Sequence, residues 1–108
     1  MNLNEYQERA NGFANHDMDQ DQALAVWALG LTGEAGETAD HIKKYLGHGH
    51  DLDIDAVEKE LGDVLWYIAT LAKQLDLSLE SIANRNIAKL TTRYGEKFSV
   101  EASKNRVA

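Results

Sequence analysis

Four acidic residues occur as two pairs, and the members of each pair are three residues apart. Glu34 and Glu37 form the first pair, and Glu60 and Asp63 form the second. Residues with this spacing lie one turn apart on nearly the same face of an α-helix. Neighbouring carboxylates repel each other unless something positive neutralises them, so the pattern indicates a divalent cation. All-oxygen ligation favours a hard ion, Mg²⁺ with Mn²⁺ as a substitute, over zinc.

The two acidic pairs are predicted to lie on neighbouring antiparallel helices. At about 100° per residue, Glu34 and Glu37 fall roughly 65° and 125° to one side of the apolar stripe of their helix. Glu60 and Asp63 fall roughly 75° and 135° from theirs, in the same rotational sense. Two facing antiparallel helices are related by a two-fold axis, which keeps such side chains on one side of the pair. We therefore expect all four acids at one margin of the core.

The elements that must position these acids are helices. Proline is absent, and Ala, Leu, Glu, Lys and Gln are plentiful, so long helices are permitted almost everywhere. Strand patterns are lacking, and capping residues and glycine stops recur at helical intervals. The prediction is an all-α bundle of four to five helices. The helices are expected over 4–14 (cap Asn4, with Gln7 as capping-box partner), from the Asp19 cap to Gly47, from the Asp53 cap to Asp76, and from the Ser78 cap to Gly95.

Three of these helices carry apolar stripes that are expected to face the core. Stripes this broad exceed what one small bundle can cover, so we expect the first and last helices to pack on another copy, as a homodimer or dimer of dimers. The stripes are Leu24, Trp27, Leu31, Ala35, Ile42 and Tyr45; Val57, Leu61, Val64, Ile68 and Leu75; and Leu79, Ala83, Ile87, Leu90 and Tyr94.

Length and composition define the class of protein. A chain of 108 residues forms one domain, here 1–108, with the core at about 20–99 and a polar C-terminal tail at 100–108. The net charge of −7 argues against binding bare nucleic acid. Cysteine is absent, which excludes thiol catalysis and disulfides. No apolar run is long enough to cross a bilayer and no signal-peptide pattern leads the chain, so we expect a cytoplasmic protein with no membrane partner.

The fourth predicted helix adds the opposite charge. Asn86, Lys89 and Arg93 fall on one flank of its stripe, roughly 90° away and in the same sense as the acids. Cations beside a metal–carboxylate site suit the oxygens of a phosphate group. A Lys/Arg row of this kind is also common on a solvated helix flank.

Three glycines within the predicted helices also need an explanation. Gly33, Gly36 and Gly62 each lower helix propensity by about 1 kcal/mol. Close approach of a neighbouring backbone is a structural explanation, and clearance for a metal or ligand is a functional one.

Several other side chains are weaker candidates. Trp27 and Trp66 could stack on a base, but both fall at or beside core positions, so we expect packing. His48 and His50 lie in a glycine-rich turn without a third ligand, which favours a solvated loop. His41 follows the second acid of the first pair by four residues, which predicts a pair on the helix surface.

Three sequence blocks together resemble a known family. Residues 30–37, 60–67 and 86–94 are similar to the signature blocks of the MazG-like nucleotide pyrophosphohydrolases, in the all-α nucleoside triphosphate pyrophosphatase superfamily. The resemblance covers roughly residues 20–99 and departs at Gly95, where relatives often have proline. It implies Mg²⁺-dependent hydrolysis of a nucleoside triphosphate between the α and β phosphates, which yields a monophosphate and pyrophosphate.

The resemblance also implies roles for individual residues. The metal ligands would be Glu34, Glu37, Glu60 and Asp63, and either Glu34 or Glu37 would take a proton from the attacking water. Contacts with phosphate or sugar would come from Asn86, Lys89, Arg93 and Tyr94.

Two alternatives remain open from the sequence. A di-iron carboxylate bundle requires Glu-x-x-His on two helices, but positions 40 and 66 hold Asp and Trp. A metal-free helical module that dimerises or regulates a partner is the second alternative. The preferred base and sugar do not follow from these residues.

Overall fold

The computed structural model describes residues 1–95 and 97–105, and the regular secondary structure within these ranges is entirely helical. This confirms the predicted all-α class. No helix in the described ranges is both long and apolar enough to span a membrane. In chain order the described helices are α1 (Leu3–Asn11), α2 (Gln20–Gly47), α3 (Ile54–Gln74), α4 (Leu79–Tyr94) and α5 (Val100–Lys104).

Side-chain caps determine where the three long helices begin. Asp19, Asp53 and Ser78 each accept a hydrogen bond from the backbone NH three residues further on, at 2.8, 3.0 and 3.0 Å. Each bond satisfies one of the backbone donors that a helix leaves unpaired at its N-terminus. All three caps lie at the predicted positions, and α4 ends at Tyr94 before Gly95, whose φ is +70°.

The first helix differs from its prediction at both ends. α1 covers Leu3–Asn11 rather than 4–14, and its cap is Asn2 rather than Asn4. Asn4 is occupied elsewhere, because its amide donates to the Glu80 carboxylate at 2.9 Å and accepts from the Glu80 backbone NH at 3.2 Å. A capping rule uses only residues near the helix start, so it could not predict a contact with a residue 76 positions away.

Gln7, predicted as the capping partner of Asn4, instead joins α1 to the turn between α3 and α4. Its buried amide donates to the carbonyls of Ala69 and Leu77, at 3.3 and 2.9 Å. The amide oxygen accepts from the backbone NH of Leu79 at 3.0 Å. These three bonds fix the first turn of α4 against α1 and satisfy a polar group that would be costly to bury alone.

α2 and α3 pack against each other as an antiparallel pair. At one end the Gln20 amide donates to the Gln74 carbonyl at 3.1 Å, and the Trp27 indole NH donates to the Gln74 side chain at 3.1 Å. Ten residues into α2, Gly30 lies directly against the ring of Tyr67, where a Cβ atom would overlap the ring. The direct pairing on which the sequence argument depended is therefore present.

The buried core of the described chain is small. Its main cluster joins α1, α3 and the start of α4, with Tyr6, Trp66 and Ile68 packed around it. Among the residues that the structure describes, no large side chain is completely buried. The buried apolar residues are Ala10, Ala23, Trp27, Ala69, Ala72 and Leu79.

Part of each predicted apolar stripe is exposed, which corrects the expectation that the whole of each stripe faces the core of a single chain. Tyr45 on α2 is 45% exposed, Leu61 on α3 is 53% exposed and Ile87 on α4 is 63% exposed. Two helices packed side by side bury only their facing edges, and α4 packs mainly on α1 and α5. Helical periodicity identifies an apolar face without specifying what covers it.

The described part of the C-terminal tail contains a short helix that was not predicted. Ser99 caps α5 by accepting from the backbone NH of Ala102 at 3.1 Å. The predicted polar tail also includes residues 106–108, which lie outside the described ranges. None of the described residues of α5 is buried, so this helix adds little to the core.

Candidate metal centre

Carboxylates from α2 and α3 meet where the two helices face each other. One oxygen from each of Glu34, Glu60 and Asp63 lies within 4.8 Å of the other two. Oxygens on opposite sides of one Mg²⁺ or Ca²⁺ ion are about 4–5 Å apart, twice the metal–oxygen distance. The three carboxylates are therefore close enough to share one ion.

The acids raise the pKa of Glu34 above the usual glutamate range. The largest cause is a side-chain hydrogen bond with Glu60, followed by burial. The negative charges of Asp63, Glu60 and Glu37 act in the same direction. A carboxyl pKa raised by neighbouring acids marks a surplus of negative potential, which a cation would neutralise.

Glu60 provides a second indication that the site fits a cation. Its Oε2 atom is buried and has no hydrogen-bond partner among the described residues. Its Oε1 atom lies 3.9 Å from Nε2 of His41 on α2. A buried carboxylate oxygen without a partner carries a large desolvation cost, so the site fits a cation of the kind its oxygen donors prefer.

Glu37 lies at the rim of this group. It is exposed, and the three oxygens that approach within 4.8 Å come from the other acids. Its charge nevertheless contributes to the raised pKa of Glu34. The structure thus groups three of the four predicted ligands, and the role of Glu37 stays a prediction.

The glycines near the acids have open surroundings. A Cβ atom added to Gly33, Gly36 or Gly62 would meet no described atom within 4 Å. Close packing of neighbouring helices within the chain is therefore not the reason for these three glycines. Gly33 and Gly62 each precede a cluster carboxylate in the sequence, and they leave space beside it.

The aromatic residues beside the acidic cluster form a packed group. Trp27 and Trp66 meet edge to face at 5.6 Å, and Trp66 and Tyr67 do so at 5.0 Å. The indole NH of Trp66 donates to the carbonyl of Ala10 at 3.0 Å. The packing prediction for both tryptophans agrees with these contacts, and Tyr67 is an aromatic neighbour that the sequence argument did not identify.

The four predicted substrate residues lie on α4. Asn86 and Lys89 line an open groove of about 570 Å³, and the Arg93 guanidinium lies 5.6 Å from the centre of the Tyr94 ring. α4 packs mainly on α1 and α5, whereas the carboxylates lie between α2 and α3. The acids therefore lie on one helix pair, and the predicted substrate residues lie on a helix that packs mainly on other elements.

Asp40 occupies the position where a di-iron site would have histidine. Its carboxylate forms ion pairs with Lys44 at 2.8 Å and Lys43 at 3.3 Å. The hydrogen bond with Lys44, and then that with Lys43, lowers the pKa of Asp40. Because these lysines already pair with Asp40 along the helix, the residue has the environment of a surface ion pair.

Comparison with known proteins identifies the class of this fold and site. The family model of the MazG nucleotide pyrophosphohydrolase domain matches residues 22–98. That range includes nearly all of α2, the whole of α3 and α4, and every predicted site residue. The chain belongs to the MazG nucleotide pyrophosphohydrolase family.

Two relatives extend the comparison beyond the family model. The chain is 39% identical over 101 residues to the Gene 37 protein of Mycobacterium phage L5, covering 86% of this chain and 89% of that protein. It is 35% identical over 79 residues to the uncharacterized protein YpjD of Bacillus subtilis (strain 168), covering 70% of each chain. No solved structure matches significantly.

Proposed function

We propose that the chain is a Mg²⁺-dependent pyrophosphohydrolase that cuts a ribo- or deoxyribonucleoside triphosphate between the α and β phosphates. The products would be the nucleoside monophosphate and pyrophosphate. The observation that carries the proposal is the approach of the Glu34, Glu60 and Asp63 oxygens to within 4.8 Å. Membership of the family supports the reaction class.

The donor set fits a hard divalent cation. All three side chains offer oxygen, which Mg²⁺ and Mn²⁺ prefer. A cation would neutralise the negative potential around Glu34, whose pKa is raised, and would pair with the buried Oε2 atom of Glu60. When bound, such an ion offsets the charge on phosphate oxygens and lowers the pKa of a coordinated water.

Glu37 is suited to receive the proton of the attacking water. It lies beside the cluster but outside the three-oxygen group, so its carboxylate is available as a general base. In the proposed reaction the water oxygen bonds to the α phosphorus and its proton passes to Glu37. The bond from that phosphorus to the bridging oxygen breaks, and the electron pair leaves with pyrophosphate.

The residues of α4 supply the positive charge that departing pyrophosphate requires. Lys89 and Arg93 would offset its charge, while Asn86 and Tyr94 would contact phosphate or sugar. Since α4 packs mainly on α1 and α5 in its own chain, we propose that the α4 helix of a second copy faces the acids. The nucleotide would then bind between two copies.

The accessible surface supports assembly of the chain with itself. The chain exposes 7906 Å², against roughly 6,000 Å² for a compact monomer of its mass. Its radius of gyration is 16.8 Å, against about 13 Å for a compact domain of this length. The excess of roughly 1,900 Å² is more than the 800 Å² or so that each partner buries in a standard interface. A homodimer, or a dimer of dimers, would cover it.

Light scattering of the wild type and of Leu61→Glu tests this assembly. Leu61 is an exposed apolar residue of α3, and an acid there would be buried unpaired in the interface, which is strongly unfavourable. We expect a dimer or tetramer for the wild type and a shift toward monomer for Leu61→Glu. A monomeric wild type would contradict the assembly.

The reaction itself is tested by pyrophosphate release from a panel of canonical and modified nucleoside triphosphates with and without Mg²⁺. The proposal predicts that pyrophosphate is released only when Mg²⁺ is present. The panel itself identifies the preferred base and sugar. The exposed apolar stripes would also suit a metal-free helical interaction module. Calorimetric titration without any Mg²⁺ binding would favour that module and contradict the hydrolase.

A further inference from the structure

His41 makes a contact that the sequence did not predict. It was expected to pair with Glu37 on the surface of α2, but its Nε2 atom lies 3.9 Å from Oε1 of Glu60 on α3. The His41 side chain is 32% exposed and that of Glu60 is 21% exposed. The pair therefore connects the two helices of the metal centre in a partly desolvated position, where a protonated imidazole attracts a carboxylate more strongly than in water.

We propose that His41 is a positioning residue that holds the carboxylate of Glu60 in the orientation needed to bind the metal. The ring lies 3.9 Å from Oε1, which is longer than a hydrogen bond, so it would restrain rotation of the carboxylate by electrostatic attraction when the ring nitrogen carries a proton. The buried Oε2 atom, which has no hydrogen-bond partner among the described residues, is then left for the cation. The inference rests on the metal centre of the proposed function, whereas the nucleotide is not part of it.

The geometry favours an indirect role over direct ligation. The oxygens that lie mutually within 4.8 Å come from Glu34, Glu60 and Asp63, and the His41 ring is not part of that group in the described structure. Carboxylate ligands are usually held by an outer partner, and loss of that partner typically weakens metal binding about 10- to 100-fold. His41 has the position and the donor for this task.

The chain contains a matched control histidine. His48 follows the end of α2 and is exposed, and its ring lies 6.5 Å from that of His50. It shares residue type and approximate chain position with His41 but lies beyond the helix pair that holds the acids. A general effect of removing a histidine from this end of the chain would therefore appear in both variants.

Calorimetric titration with Mg²⁺ alone, on the whole chain without nucleotide, tests the proposal. We expect His41→Ala to weaken Mg²⁺ binding about 10- to 100-fold and His48→Ala to leave it unchanged. His41→Gln keeps an NH donor and is expected to restore most of the affinity. Thermal unfolding in EDTA should be similar in all variants, which separates loss of positioning from loss of fold.

Two results would overturn the positioning role. The first is equal Mg²⁺ affinity in the wild type, His41→Ala and His41→Gln. The second is a changed visible absorption spectrum of the Co²⁺-loaded His41→Gln protein, because that change would show a ring nitrogen bound directly to the metal.

A wild type that binds Mg²⁺ without releasing pyrophosphate contradicts the proposed reaction alone. A wild type that binds no Mg²⁺ contradicts both.

Discussion

The α2–α3 pair and α4 carry opposite charges, and they differ in whether contacts within one chain bring the charged groups together. The pair brings three carboxylates within 4.8 Å of one another through contacts inside one chain. α4 carries Lys89 and Arg93 on a helix that packs mainly on α1 and α5. Under the proposed function, one copy would suffice to bind the metal, whereas the cations proposed to bind phosphate would require assembly.

The same two regions both leave apolar residues exposed. Trp27 of α2 is buried between the paired helices, at 5% exposure, but Leu61 of α3 and Ile87 of α4 are 53% and 63% exposed. An apolar side chain left in water forfeits roughly 1.5–3 kcal/mol of possible stabilisation. Both regions therefore gain from a partner, whereas the acidic cluster forms within one chain.

The largest effect is expected from Asp63→Asn, which removes one negative ligand from the cluster while preserving its shape. Pyrophosphate release should fall by about 10³-fold or more, because the charge that retains the metal is reduced. Circular dichroism should show unchanged helicity. The matched control is Glu58→Gln, on an exposed turn of the same helix. Asp63→Asn activity equal to that of the control would remove Asp63 from the site.

Mixing two inactive variants should restore part of the activity. In the proposed dimer each site combines the acids of one copy with α4 of the other. Asp63→Asn has altered acids and Lys89→Ala has an altered α4. A mixed dimer therefore contains one site with intact acids and an intact α4. With random exchange in a two-fold dimer, about a quarter of wild-type activity is expected. The assay compares pyrophosphate release before and after mixing. No recovery after confirmed subunit exchange would mean that each copy uses its own α4.

Two glycines of α2 should respond in opposite directions to the same substitution. Gly30→Ala forces a methyl group into the Tyr67 ring and is expected to cost about 1–3 kcal/mol. Gly33→Ala meets open space in the single chain and is expected to add up to about 1 kcal/mol of helix stability. Chemical denaturation measures both. Destabilisation by Gly33→Ala that disappears on dilution would place Gly33 against a second copy.

The smallest effect is the pH dependence of stability without metal. The folded-state pKa of Glu34 is raised, chiefly by the hydrogen bond with Glu60, so the folded protein binds more protons than the unfolded chain above the ordinary glutamate pKa. Stability should therefore decrease as pH rises through this window. Saturating Mg²⁺ lowers the pKa of Glu34 and should reverse the slope. Denaturation of Glu34→Gln in EDTA provides the control, since a slope identical to wild type would assign the effect to other groups.

The features that the sequence predicted correctly depend on neighbours close in the chain. Asp19, Asp53 and Ser78 were recognised as caps because a cap interacts with a backbone NH only three residues away. The meeting of Glu34 with Glu60 and Asp63 followed from helical periodicity and the two-fold relation of a paired helix. Apart from the direct pairing of α2 with α3, these rules need no knowledge of distant contacts.

The features that it missed depend on residues far apart in the chain. Asn4 was misassigned as a cap because Glu80 engages it, and His41 was assigned to its own helix although it approaches Glu60 on the next. Ile87 was expected in the core because periodicity defines a face but not its neighbour. Tertiary contacts decide each of these cases.

The central claim is that the carboxylate cluster supports hydrolysis between the α and β phosphates. The most direct test is ³¹P NMR of the products formed from a nucleoside triphosphate in H₂¹⁸O, with Mg²⁺ and with EDTA. The account predicts monophosphate and pyrophosphate only with Mg²⁺, and ¹⁸O in the monophosphate. Release of orthophosphate, ¹⁸O in the pyrophosphate, or undiminished cleavage in EDTA would contradict it.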